Sequence, residues 1–128
     1  MDEKVKYWID LSDYDFETAK AMLKSKRLLY VGFMCHQAIE KILKAYFVFS
    51  KESQPKFTHR LTYLTESTDL EKILSEEQKY FIDELEPLNI EARYPTHKDL
   101  LFKELNADKC HTILKQTEEL ILWIKKKL

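Results

Sequence analysis

The sequence predicts an all-α fold, an up-down antiparallel bundle of four to five helices forming a single domain over residues 1–128. Only one glycine and three prolines occur in 128 residues, a scarcity that disfavours a turn-rich β fold. Apolar residues make up 45% and charged residues 34%, which is enough of each for a core and a solvated surface. Apolar side chains also recur at spacings of three and four, as they do on one face of a helix.

The first two helices are predicted from about Lys4 to Lys26 and from about Leu29 to Lys51. The apolar stripe of the first is interrupted by one small polar residue, Ser12. In the second, the central stripe consists of Cys35, Ala38, Ile42, Ala45 and Phe49. Flanking apolar residues widen this stripe to about half of the helix, which predicts either the most buried helix of the bundle or part of a subunit interface. Its polar strip consists of His36, Gln37, Glu40, Lys41 and Lys44.

Three further helices are predicted in the second half of the chain. A short helix is expected around His59–Glu66, and a capping box at Ser75 opens a helix that runs to about Asn89. The last helix starts near Asn106, a favoured N-cap residue. The intervening stretch, Ile90–Leu105, has no glycine and no clear helical period. Loops of this length in compact domains are usually functional or disordered, so the chemistry is expected here.

Three motifs resemble one known family. The run His36–Ala45, HQAIEKILKA, resembles the HQAxEKxLKA signature of HEPN domains. The stretch His59–Leu64 matches the H-x-L-x-x-L element of that family, and Ile90–Pro95 looks like the RYP segment of many small bacterial and archaeal members. The motifs occur in the right order over nearly the whole chain.

This resemblance implies a helical bundle that is usually a homodimer. Many HEPN proteins are metal-independent ribonucleases whose Arg-x(4–6)-His motifs meet in a cleft across the dimer. Many small members act as the toxin or partner of a minimal nucleotidyltransferase in a toxin-antitoxin pair, and others were proposed to bind nucleotides. Here Arg93 and His97 have only three residues between them, which weakens the nucleolytic interpretation.

The resemblance makes Arg93 and His97 the candidate catalytic residues. A guanidinium suits phosphate because its donors are planar and paired, and histidine exchanges protons near neutral pH. Tyr94 and Lys98 are candidate ligand-binding residues, although a loop tyrosine beside proline more often packs onto the bundle. Binding of phosphate or a nucleotide without cleavage and a purely structural role of the loop remain open.

Polar residues of the first two helices are weaker candidates. Gln37 and Lys41 are expected to bind ligand by facing the loop, or else to face the partner subunit. His36 and Glu40 stand one helical turn apart, but a surface ion pair or an interface hydrogen bond is expected rather than catalysis. Asp15 is expected to be partly buried in a capping or hydrogen-bonding role.

Two Cys-His dipeptides, at Cys35 and at Cys110, suggest a zinc site. Adjacent helical residues point about 100° apart, so such a pair chelates poorly. Core thiols beside flanking histidines are expected instead, and no metal or cofactor is predicted.

The net charge of −1 provides no general attraction for polyanions, so any nucleic-acid contact must be local. No signal peptide or membrane span is apparent, and a cytoplasmic protein with reduced thiols is expected. The predicted function is interaction with RNA or nucleotides through the Arg93 loop, with metal-independent RNA cleavage as its enzymatic form. The alternative is a non-catalytic nucleotide-binding protein or nucleotidyltransferase partner whose second helix builds the dimer.

Overall fold

A computed structural model describes residues 2–55, 57–89 and 105–128, and all regular structure within these ranges is helical. The six helices are α1 Glu3–Lys24, α2 Leu28–Lys51, α3 Leu61–Glu66, α4 Leu70–Ile73, α5 Glu76–Leu85 and α6 Ala107–Lys125. The predicted all-α bundle is confirmed: four helices are long enough to form it, while α3 and α4 are short connecting helices. No helix in the described ranges is long and apolar enough to cross a membrane.

The most extensive packing joins α1 to α2, which lie side by side over most of their length. Ser12, the polar interruption in the stripe of α1, is fully buried between them. Its hydroxyl donates a hydrogen bond of 2.8 Å to the carbonyl oxygen of Ala38. A small residue there allows close approach of the helices, and the hydrogen bond satisfies a hydroxyl that would be costly to bury alone.

The wide apolar arc of α2 is covered within the protomer. Helices α1, α3, α5 and α6 all pack against it, and most of its residues are buried. Of the two alternatives for this helix, the central buried position is therefore correct, and the hypothesis that its apolar arc builds a dimer is wrong. Phe49, a member of the predicted central stripe, is 48% exposed because it lies in the last turn, beyond most of the neighbouring packing.

The helix ends follow local sequence signals. The predicted capping box of Ser75 and Gln78 is present, and Asn106 caps α6 as expected. The helix that starts at Ser75 is predicted to continue to Asn89, but α5 ends at Leu85. Pro87 accounts for this early end, since it has no N–H to extend the hydrogen-bond ladder.

The single glycine, Gly32, lies where two leucines approach α2, one from each side of the segment 90–104. A Cβ atom at this position would come within 2.9 Å of Leu88 Cδ1 and 3.6 Å of Leu105 Cδ1. Glycine inside a helix costs about 1 kcal/mol relative to alanine. The close approach of the two leucines explains its presence here.

We expect Gly32→Ala to raise the free energy of unfolding by about 1 kcal/mol in a Leu88→Ala background, where the added methyl group has room. In the wild-type background the gain should be largely cancelled, because Leu88 must move. A double-mutant cycle from urea unfolding measures this coupling. Equal effects of Gly32→Ala in the two backgrounds would contradict the steric explanation.

Candidate functional site

The polar side chains of α2 form a largely buried row through the bundle. We call His36, Gln37, Glu40, Lys41 and Lys44 the polar row. Four of them are nearly inaccessible, with exposed fractions of 0% for His36, 8% for Gln37, 1% for Glu40 and 5% for Lys44. Charged groups are rarely buried unless paired, so the contacts of the row explain how the bundle tolerates it.

Glu40 is the centre of the first group of contacts. Its Oε1 atom lies 2.8 Å from His59 Nδ1, and its Oε2 atom lies 3.1 Å from Lys44 Nζ. The Lys44 ammonium group is also 5.3 Å from the ring centroid of Trp8 and 5.8 Å from that of Phe57. The expected surface ion pair of Glu40 is thus wrong in its location: the pair is buried, because His59 and two aromatic rings cover this end of α2.

Gln37 and Lys41 form the second group. Lys41 Nζ donates to Asp15 Oδ2 at 3.0 Å and to Gln37 Oε1 at 3.2 Å. The Gln37 amide nitrogen donates to Asn89 Oδ1 at 3.1 Å. Asp15 has the partly buried, hydrogen-bonded position expected for it, with 15% of its side chain exposed. Residues of α1, α2 and the stretch just before residue 90 are therefore connected by one chain of hydrogen bonds.

His36 and Glu86 form the third group, which positions α3. The Glu86 carboxylate accepts hydrogen bonds from the backbone N–H groups of Leu61 and Thr62, at 3.0 and 2.9 Å, and from the Thr62 hydroxyl at 3.0 Å. It thereby satisfies the N-terminus of a helix whose own N-cap residue, Arg60, makes no side-chain cap. His36, which is expected on the flank of α2, is instead fully buried, with Nε2 3.7 Å from Glu86 Oε2.

These contacts change the acidity of Glu86. Partial burial alone would raise its pKa, but the nearby His36 ring and the hydrogen bonds from Thr62 and Leu61 outweigh burial and lower the pKa to about 2. Because the His36 ring lies beyond ordinary hydrogen-bond distance, the two amide groups and the hydroxyl are the main cause.

Both cysteines are core thiols, as expected. Cys35 and Cys110 are buried, and neither forms a disulfide. Burial raises the pKa of Cys35 to about 12 and also raises that of Cys110, which keeps both as neutral thiols. No group of residues in the described ranges is arranged to hold a metal ion.

The candidate residues Arg93, Tyr94, His97 and Lys98, together with the loop that carries them, lie outside the described residues. The other two candidates, Gln37 and Lys41, lie in contact with each other.

Sequence reasoning did not identify the partners of the polar row. Glu86 and Asn89 stand just after a predicted helical face, and nothing in their local pattern marks them as partners of α2. His59 carried a weak signal, since it opens the H-x-L-x-x-L element.

A helical bundle organised around a buried polar row on its central helix is the class that the fold and the site define. The HEPN domain family model matches residues 5–128, and the chain belongs to this family. The crystal structure of TT1696 from Thermus thermophilus has the same fold: the TM-score is 0.83 at 17% identity, over 99% of this chain and 100% of that one. No curated protein matches the chain.

Family membership supports a role related to nucleotides or RNA in general terms, and HEPN domains commonly dimerise. The structure also gives a physical meaning to the family-like motifs of this chain. The two elements HQAxEK and H-x-L-x-x-L meet at the contact between Glu40 and His59. They meet again through Glu86, which lies beside His36 and accepts the N–H of Leu61.

The low pKa of Glu86 predicts a loss of stability in acid. The unfolded carboxyl has a pKa of about 4.3, so the stabilisation is complete above this pH and is lost as the pH falls from about 4.5 towards 2. We expect Glu86→Gln to lower the free energy of unfolding by about 2 kcal/mol at pH 7 and to flatten its pH dependence in this window.

Urea unfolding at pH 7 and pH 3 measures both effects. Glu119→Gln is the matched control, since Glu119 is exposed on α6, and it should change stability by less than about 0.5 kcal/mol. The same slope of stability against pH in Glu86→Gln and wild type would refute this role of Glu86.

Proposed function

We propose that this HEPN-domain protein binds RNA or a nucleotide through the segment around Arg93, next to Gln37 and Lys41. The observation that supports this is the hydrogen bond between Gln37 and Asn89. Asn89 precedes Arg93 by four residues, and an extended backbone of that length spans at most about 14 Å. The guanidinium is therefore tethered near the part of α2 that carries Lys41.

The chemistry of these residues suits a phosphate group. Lys41 uses two of its three ammonium hydrogens on Asp15 and Gln37 among the described residues, and 18% of its side chain is exposed. A phosphate oxygen at the third hydrogen would share the ammonium group with Asp15. In this proposal the Arg93 guanidinium supplies the uncompensated charge, because Lys41 is already paired.

Tyr94 and Lys98 would hold the rest of the ligand. The tyrosine ring offers a face for a nucleobase, and the lysine a second positive charge for the backbone. The enzymatic form of the proposal is metal-independent RNA cleavage, in which Arg93 stabilises charge on the phosphate and His97 carries a proton.

The second candidate function is that of a non-catalytic nucleotide binder or partner, as in the pairs that HEPN proteins form with minimal nucleotidyltransferases. The short Arg93-x3-His97 spacing favours it over cleavage. Under this proposal the protein forms a homodimer, binds without cleaving, and co-purifies with a nucleotidyltransferase encoded beside it.

We expect the protein to bind a fluorescein-labelled single-stranded RNA in EDTA, and Arg93→Ala to weaken binding roughly tenfold or more, because a charge-assisted contact to phosphate is lost. Fluorescence anisotropy titration gives the dissociation constants, and ATP as competitor tests whether a mononucleotide suffices. Lys41→Met should also weaken binding while retaining the apolar stem.

Two variants serve as matched controls. Arg27→Ala removes an exposed arginine from the turn between α1 and α2, and Lys6→Met removes an exposed lysine from α1. Both should bind RNA like wild type. If Arg93→Ala binds RNA as tightly as these controls do, the segment is not the binding site and the proposed function fails.

A further inference from the structure

The contact between His59 and Glu40 has the geometry of a proton-transfer pair. The two side chains meet at 2.8 Å, with 2% of the Glu40 side chain and 35% of the His59 side chain exposed. A carboxylate only accepts hydrogen bonds, so Nδ1 of the ring donates to it. This fixes the neutral tautomer in which Nε2 carries a free lone pair, the form that a general base requires.

The pair is held firmly on its inner side. Lys44 binds the other oxygen of Glu40 at 3.1 Å, so the carboxylate cannot turn away from the ring. On the outer side, His59 Nε2 makes no hydrogen bond to another described residue. Of the other described histidines, His36 is fully buried and His111 is exposed without a carboxylate partner. His59 alone among the described histidines therefore combines a buried carboxylate with an open ring.

An aromatic surface lies beside the open ring. The Phe57 ring packs edge-on against the His59 ring, with 5.5 Å between centroids, and it is 92% exposed. An exposed aromatic face is sequence-tolerant and suits an unstacked base of single-stranded RNA. Arg60, which follows His59 in the chain, is exposed and adds a positive charge next to the pair in sequence.

The pair also lies near the proposed binding segment. Glu40 and Gln37 are three residues apart on one helix, which places their Cβ atoms about 5–6 Å from each other. Gln37 in turn holds Asn89, where the chain enters the segment that carries Arg93. RNA bound by that segment would therefore have its backbone within a few nucleotides of His59.

We propose that His59, oriented by Glu40, is a catalytic base that cleaves single-stranded RNA, an inference that rests on the proposed binding of RNA. His59 Nε2 takes the proton of a ribose 2′-hydroxyl, and the 2′-oxygen forms a bond to the adjacent phosphorus. The bond from phosphorus to the 5′-oxygen breaks, and that oxygen takes a proton from water. The products are a 2′,3′-cyclic phosphate and a 5′-hydroxyl, and the imidazolium returns its proton to solvent. Each protomer would then contain a base of its own.

The test is single-turnover cleavage of a labelled single-stranded RNA in EDTA, with RNA affinity measured in parallel by anisotropy. We expect His59→Ala to lower the cleavage rate roughly 100-fold or more at unchanged affinity. Added imidazole should restore part of the rate, which it would not do for a merely structural residue. His59→Gln is the second variant, since its amide can still donate to Glu40 but cannot transfer a proton, so it should fold like wild type and be inactive.

Glu40→Gln tests the positioning role and should lower the cleavage rate without changing RNA affinity. His111→Ala, which removes the exposed histidine of α6, is the matched control and should cleave like wild type. Wild-type protein that binds RNA but does not cleave it, or a His59→Gln variant as active as wild type, overturns the catalytic role and leaves the proposed binding intact. Wild-type protein that does not bind RNA refutes both proposals.

Discussion

The bundle depends on the neutralisation of one buried carboxylate. Glu40 is 1% exposed on the central helix, and leaving such a group unpaired would cost several kcal/mol. Its two oxygens are instead divided between Lys44 on the same helix and His59 on the connection to α3. Folding therefore requires this connection to lie against α2, and the aromatic rings of Trp8 and Phe57 complete the enclosure of the lysine.

The same principle recurs along α2 with other partners. His36 faces the carboxylate that caps α3, and Gln37 holds the side chain of Asn89. A purely apolar helix could pack against its neighbours in several rotational settings, whereas each of these polar contacts is satisfied in only one. Buried polar groups can select one arrangement at some cost in stability, and we attribute this role to the polar row.

Sequence patterns predicted the helices well because their signals are local. The periodicity of α1, α2 and α6, the capping box at Ser75 and the cap at Asn106 each depend on residues within a few positions of one another. The depth of the polar row was not predictable in this way. Glu40 and Lys44 have the spacing of an ordinary surface pair, and only the arrival of His59, from a distant part of the chain, makes the pair buried. Likewise, nothing near Asn89 in the sequence indicates that it binds Gln37.

The two tryptophans of this chain sit under lysine ammonium groups in unlike surroundings. Trp8 has Lys44 at 5.3 Å beside the His59 pair, whereas Trp123 has Lys127 at 4.3 Å near the end of the last helix. Indole emission is sensitive to nearby charge, so the protein carries two intrinsic fluorophores at separate places. Replacing Trp123 by phenylalanine would leave a single emitter, and its spectrum would then report changes around Lys44 without any attached dye.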